Sequence, residues 1–237
     1  MADWAVVTGA SRGIGHATAA RFLQEGWSVM NLSRKPCEVP GVVNVGLDLS
    51  TPGWESQAGG ALRDALGPPG GGGRVCLIHN AALYAHDDAL SLTAEHFRQV
   101  LEVNVVAPAV LNRLVRPWLA AGSSILYVGS TLSEKAVRNN ATYVTSKHAL
   151  VGLMRATCQD LVGTGIHTAC VCPGFTDTEM LRQNVGNDAG ILAAIAARQT
   201  FGRLITPEEI ASVLWFCAGT PVFNGAVIHS HLGQIES

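Results

Sequence analysis

Thr8-Gly9-Ala10-Ser11-Arg12-Gly13-Ile14-Gly15 follows the apolar run Trp4-Ala5-Val6-Val7-Thr8 and opens a helical pattern. A short apolar run that ends in glycine reads as a buried strand of a parallel sheet. Beyond the glycines, Ile14, Ala17, Phe22 and Leu23 mark one face of a helix over Gly13–Gly26, with Gly26 as its stop. The order strand, glycine turn, helix start carries more information than the glycines themselves. Gly9 permits a tight turn, Gly13 lets a pyrophosphate approach the backbone, and Gly15 lets helix and sheet pack closely. The free N–H groups at the helix start and its dipole then favour phosphate. A purely structural turn is the alternative.

The same alternation continues along the chain. Strands are predicted at Ser28–Ser33, Val42–Leu47, Val75–His79, Ser124–Gly129, Ile166–Cys172 and Val227–His229. Helices are predicted at Gly53–Leu66, Thr93–Leu119 and Ala141–Leu161. Pro108 falls inside the second of these and calls for a kink or a local adjustment. Thr206 and Pro207 have the chemistry of an N-cap and a first helical residue, so another helix starts there. Strands alternating with helices predict an α/β fold, a Rossmann-type doubly wound parallel sheet of about seven strands with helices on both faces. No repeat or linker divides residues 1–237, so one domain is expected. Pro68-Pro69-Gly70-Gly71-Gly72-Gly73 precedes a strand instead of opening a helix, which makes it a connector and not a phosphate loop.

At 48% apolar and 14% charged, the chain of 237 residues buries a core without needing disulfides or a structural metal. A net charge of -2 offers no basic surplus for nucleic acid or for an anionic membrane surface. The 6 cysteines include no CxxC pair. Cys170 and Cys172 share one face of a predicted strand, and small thiols in a reducing compartment are the expected reading. Asn31 and Asn140 head glycosylation-like triplets, but Met1-Ala2-Asp3-Trp4 has no signal character, so both triplets are read as chance. No apolar run nears the ~20 residues of a membrane helix. The cytoplasm is the expected compartment.

The spacing Thr-Gly-x-x-x-Gly-x-Gly at Thr8–Gly15 differs from the ordinary dinucleotide fingerprint and resembles that of the short-chain dehydrogenase/reductase family. The resemblance implies a nicotinamide cofactor cradled by Gly9, Ser11, Arg12, Gly13, Ile14 and Gly15. An acid at the end of the second strand would hold the ribose hydroxyls of NAD. Here the end reads Leu32-Ser33-Arg34-Lys35, with Ser33 in the acid's place and Arg34 next. Two planar guanidinium forks, Arg12 and Arg34, suit a 2′-phosphate, so NADP(H) is expected ahead of NAD(H). Solvated loop charges are the alternative. By resemblance, Asp48 and Leu49 lie at the adenine, and Asn80-Ala81-Ala82 replaces the usual Asn-Asn-Ala-Gly beside the adenosine ribose.

Tyr143 and Lys147 are spaced to share one helix face, about one turn apart. A carbonyl reduction needs a proton at oxygen, and a neighbouring ammonium is expected to ease phenolate formation. The pair alone is weak. Ser130 lies thirteen residues upstream, at the end of a predicted strand, where the family keeps its catalytic serine, and Asn104 matches the family's helix asparagine. The resemblance makes Asn104, Ser130, Tyr143 and Lys147 the catalytic set. Ser130 would donate to the substrate oxygen, Lys147 would bond the nicotinamide ribose, and Asn104 would hold a water that links Lys147 to solvent. It also lays Pro173, Gly174, Phe175, Thr176 and Thr178 against the nicotinamide and diphosphate. Thr178 doubles as a candidate helix N-cap.

Arg203 and Leu204-Ile205-Thr206-Pro207-Glu208-Glu209-Ile210-Ala211 are similar to a segment of 3-oxoacyl-carrier-protein reductases, whereas His231-Leu232-Gly233-Gln234 departs from the family tail. Substrate selectivity is expected in residues 83–89, 132–139 and 178–202. Within the last, the apolar run Ile191–Ala197 is either a lid or ordinary core or subunit contact. His229 and His231 lack nearby acids or cysteines in sequence, so no metal is expected. The expected function is NADPH-dependent carbonyl reduction, or its reverse, on a small molecule by a homodimer or homotetramer. A non-catalytic dinucleotide sensor or scaffold is the competing class.

Overall fold

The computed structural model describes residues 2–235. Its seven strands are β1 (Trp4–Thr8), β2 (Ser28–Ser33), β3 (Val42–Gly46), β4 (Val75–His79), β5 (Ser124–Val128), β6 (His167–Pro173) and β7 (Ala226–Ser230). They form one sheet in the order β3-β2-β1-β4-β5-β6-β7. Every pairing is parallel. The chain order reverses between β1 and β4, so a crevice opens at the carboxyl ends of those strands.

The helices are α1 (Gly13–Gln24), α2 (Trp54–Leu66), α3 (Ala94–Leu101), α4 (Ala107–Val115), α5 (Ala141–Asp160), α6 (Glu179–Asn184), α7 (Ala189–Ala196) and α8 (Pro207–Ala218). The pleat sends alternate side chains to two cores. Val6, Met30, Leu77, Ile125 and Tyr127 pack with Leu62, Leu111 and Met154 on one face. Val7, Val29, Ile78, Leu126 and Val171 pack with Phe22, Ile210 and Leu214 on the other. Phe22, Trp27 and Trp215 meet edge to face at 5.1–5.9 Å between ring centres and staple α1 to α8.

Most predicted elements agree within two residues. The stretch read as one helix over Thr93–Leu119 is instead α3, a π turn at Glu102–Val106, α4 and a 3-10 turn at Arg116–Trp118. Pro108 has no N–H to give the carbonyl of Asn104 four residues back, so the local adjustment is this π turn. The separate helices α6 and α7 were not predicted from the sequence. None of their residues is buried. Thr206 caps α8 as expected, accepting from the Glu209 N–H, while the Glu209 carboxylate accepts from the Thr206 N–H at 2.8 Å. Asn31 and Asn140 are both buried.

Candidate active site

The glycine turn is held from β4. Gly9 has φ +69°, a conformation that disfavours any side chain. A Cβ on Gly15 would stand 2.4 Å from the Gly9 carbonyl oxygen and 2.5 Å from Asn80 Nδ2, so only glycine fits. Asn80 Nδ2 donates to the carbonyls of Thr8 (3.0 Å) and Gly9 (3.1 Å). Thr8 Oγ1 accepts from the N–H groups of Asn80 and Ala81, both at 3.0 Å. The side chain of Asn80 thus braces the turn. Thr8 is the partner that sequence reasoning missed.

The start of α1 fits a dinucleotide phosphate. No side chain caps it, and its first turn carries no acid. Its N–H groups therefore point outward unsatisfied by any capping side chain, as an anion site requires. Arg12 and Arg34 are exposed, while Ser33 Oγ is bound to the backbone of Lys35 (2.8 Å to O). The Asp48 carboxyl is held below its ordinary range by hydrogen bonds from Ser50, with Arg34 adding to the effect. Leu49 is buried beside it, and Ala82 is half-buried after Asn80 and Ala81.

Beyond β6, Gly174 N–H donates to Ser230 O, and Phe175 O accepts from Ile205 N–H at 3.0 Å. Thr176 Oγ1 turns back to Gly174 O at 3.1 Å. Thr178 caps α6 through the Leu181 N–H, and its Cγ2 would lie 3.2 Å from a Cβ on Gly13. The segment from Pro173 therefore ends with Thr178 against the glycine turn. Glu179 brings a carboxylate to the same rim, its Oε2 3.6 Å from that Cβ position.

Tyr143 and Lys147 lie on α5, both buried, with Lys147 Nζ 5.5 Å from the centre of the Tyr143 ring. Ser130, at the end of β5, stands beside the phenol. Its Oγ also accepts from Leu132 N–H at 3.1 Å, and Ser133 Oγ closes the reciprocal cap. The expected ammonium effect on the phenol is corrected here. Burial pushes Tyr143 up to about 12 against the pull of Ser130, and burial brings Lys147 down to about 8 against the thiols of Cys170 and Cys172. Lys147 Nζ donates at 2.8 Å to Val128 O, and desolvation dominates both groups.

Asn104 is buried in the π turn. Its Oδ1 accepts from Leu83 N–H (2.7 Å), and its Nδ2 donates to Leu83 O (2.9 Å) and Ser146 Oγ (2.9 Å). Both side-chain donors are used, so the side chain clamps a loop to α5. The backbone carbonyl of Asn104 is the group left without an α-helical donor. Two loops expected to matter for selectivity do border the site. Tyr84 stacks 5.0 Å from Tyr143, and Asp87 accepts from Thr142 N–H (3.0 Å) and from its hydroxyl at the start of α5. His229 pairs with Glu134 at 2.9 Å, and His231 accepts from Gln234 N–H. Cys170 and Cys172 share a face as predicted, with thiols 3.8 Å apart.

Sequence comparison agrees with this geometry. A family profile described as Enoyl-(Acyl carrier protein) reductase matches residues 71–233, and one described as short chain dehydrogenase matches residues 3–44. The chain belongs to the short-chain dehydrogenase/reductase family. It is an oxidoreductase that acts on CH–OH or C=O groups with a nicotinamide dinucleotide. The 3-oxoacyl-[acyl-carrier-protein] reductase MabA of Mycobacterium tuberculosis is 29% identical, over 94% of this chain and 89% of that protein. The chloroplastic NADPH-dependent aldehyde reductase 2 of Arabidopsis thaliana is 28% identical, over 97% and 92%. The structure of TT0495 protein from Thermus thermophilus superposes with a TM-score of 0.86 at 31% identity, covering 98% of each chain. Among the described residues no helix is long and apolar enough to cross a membrane.

Proposed function

We propose that the protein is an NADPH-dependent reductase of small ketones or aldehydes, able to run in reverse as an alcohol dehydrogenase, with Tyr143 as its general acid and base. One observation carries the reading. Tyr143, Ser130 and Lys147 converge at the carboxyl edge of the sheet, beside a glycine turn that opens an uncapped helix. When bound, the nicotinamide supplies or accepts the hydride. Gly9, Ser11, Arg12, Gly13, Ile14 and Gly15 line the turn that receives the diphosphate, and Asn80, Ala81 and Ala82 border the adenosine. Pro173, Gly174, Phe175, Thr176 and Thr178 cover the other side.

Ser130 donates a hydrogen bond to the substrate oxygen as charge grows there. Tyr143 delivers its proton to that oxygen in reduction and removes it in oxidation. With Tyr143 at about 12 the phenol stays protonated near neutrality, so its proton is present for reduction, whereas oxidation needs the phenolate. Lys147, its Nζ 5.5 Å from the Tyr143 ring centre, approaches the ribose. The carbonyl of Asn104 is the group available to hold a water near Lys147, since Pro108 takes away its usual donor. Arg12 and Arg34 favour the 2′-phosphate of NADP(H) over the bare ribose of NAD(H).

Helices α6 and α7 cover the substrate side as a lid, with Ile191 47% exposed on α7. The protein works as one domain, in a homodimer or homotetramer. Its six unpaired thiols suit a reducing cytoplasm. Initial rates with NADPH and NADH against ketones, aldehydes, quinones and an enoyl thioester test the reading. Carbonyl turnover with a lower KM for NADPH is expected. A clear preference for NADH overturns the cofactor choice, and turnover of the enoyl thioester alone overturns the reaction.

A further inference from the structure

Strand β2 carries an amide where its neighbours are apolar. Asn31 is fully buried between Met30 and Leu32. Its Oδ1 accepts at 2.9 Å from the N–H of Ala10, inside the glycine turn. Its Nδ2 donates to the carbonyl of Lys35 (3.2 Å) and to Asn44 Oδ1 (2.9 Å). Asn44, on β3, accepts from Cys37 N–H at 2.7 Å and donates to Cys37 O at 3.1 Å. Ser33 Oγ closes the near end, donating to Lys35 O at 2.8 Å. The turn from Ser33 to Cys37 is thereby tied at its start, middle and end, with Arg34 exposed on its outer side.

Ser33, Asn44 and the Nδ2 of Asn31 all tie this turn. The bond from Ala10 to Asn31 does something further, because it fixes the turn against the loop that receives the diphosphate. One buried amide thus spans the two places where the adenosine half of a dinucleotide is gripped. Arg34 also helps to hold the Asp48 carboxyl below its ordinary range. A bidentate guanidinium contact depends on direction as well as charge.

We propose that Asn31 and Asn44 are positioning residues for cofactor selectivity, holding Arg34 at a fixed place relative to the glycine turn so that it meets a 2′-phosphate. The proposal rests on the NADP(H) reading, and the two can fail separately. Calorimetric Kd values for adenosine 2′,5′-bisphosphate and adenosine 5′-monophosphate give a selectivity ratio that a general loss of stability does not move.

The wild type is expected to prefer the bisphosphate, and Arg34→Ala is expected to remove that preference. Asn44→Ala, at an exposed strand position, should cut the ratio roughly tenfold, the scale of one charge-assisted bond, with the monophosphate Kd unchanged. Asn31→Val should lose the ratio and weaken the monophosphate as well, because Ala10 loses its acceptor. Should Asn31→Val fail to fold, Asn44→Ala still decides. A wild-type ratio near one overturns the NADP(H) reading. A ratio lost in Arg34→Ala but kept in Asn44→Ala overturns the positioning role alone.

Discussion

The cofactor half and the substrate half of the crevice are built in opposite ways. Around Gly9–Gly15 the turn is held by backbone, Thr8, Asn31 and Asn80, and a single added methyl at Gly15 has nowhere to go. Around α6 and α7 no residue is buried, and each helix is fastened at its start by one cap, Thr178 or Asp188. A rigid cradle keeps one ligand in one pose. A loosely fastened cover admits different substrates on the same chemistry, which is why relatives of similar fold carry the names of different reactions.

The comparison breaks first at Gly15. Gly15→Ala should raise the Kd for NADPH by about 10²-fold, on the scale of a misplacement of roughly 1 Å, as read by cofactor fluorescence. Affinity within about threefold of wild type would show that the turn relaxes as freely as the cover. Next is Ser130→Ala. Loss of a donor at the developing oxyanion should lower kcat by ~10²-fold while the NADPH Kd stays put. The melting temperature should fall only slightly, since one cap bond to Leu132 is lost.

A smaller effect concerns Lys147. Its folded value of about 8 lies below the ordinary lysine range, so between about 8 and 10 the protein alone holds the amine neutral. An anionic dinucleotide raises that value, and binding in this window should take up protons. Calorimetry in buffers of different ionisation enthalpy reads the uptake, and none at pH 9 would contradict the assignment. The smallest effect belongs to the cover. Ile191→Ser should raise KM for an apolar carbonyl about threefold, leaving cofactor affinity and melting temperature unchanged, because Ile191 is already 47% exposed. A fall in melting temperature would make α7 part of the packed structure.

The division also governs what the sequence discloses. The first strand, glycine turn and α1 are legible because backbone geometry restricts residue choice at each step. Thr206 and Glu209 announce α8 through capping chemistry in the same way. Tyr143 and Lys147 share a helix face by spacing and Ser130 joins them through the family resemblance, yet the direction of their charge shifts depends on burial, which neither reports. The split at the π turn was signalled by Pro108 but its form was not. Asn31 gave a signal too, a lone amide in an apolar strand. Its partners Ala10 and Asn44 are brought to it only by the sheet register. The cover was legible only as the apolar run Ile191–Ala197, because α6 and α7 are short and none of their residues is buried.

The central claim is that Tyr143 moves the proton in a site whose cofactor cradle does not depend on it. Single-turnover oxidation of NADPH by Tyr143→Phe, with cofactor affinity measured on the same sample, tests this most directly. NADPH should bind within about threefold of wild type while the oxidation slows by ~10²–10⁴-fold. Oxidation at the wild-type rate by a variant that binds NADPH normally would contradict it.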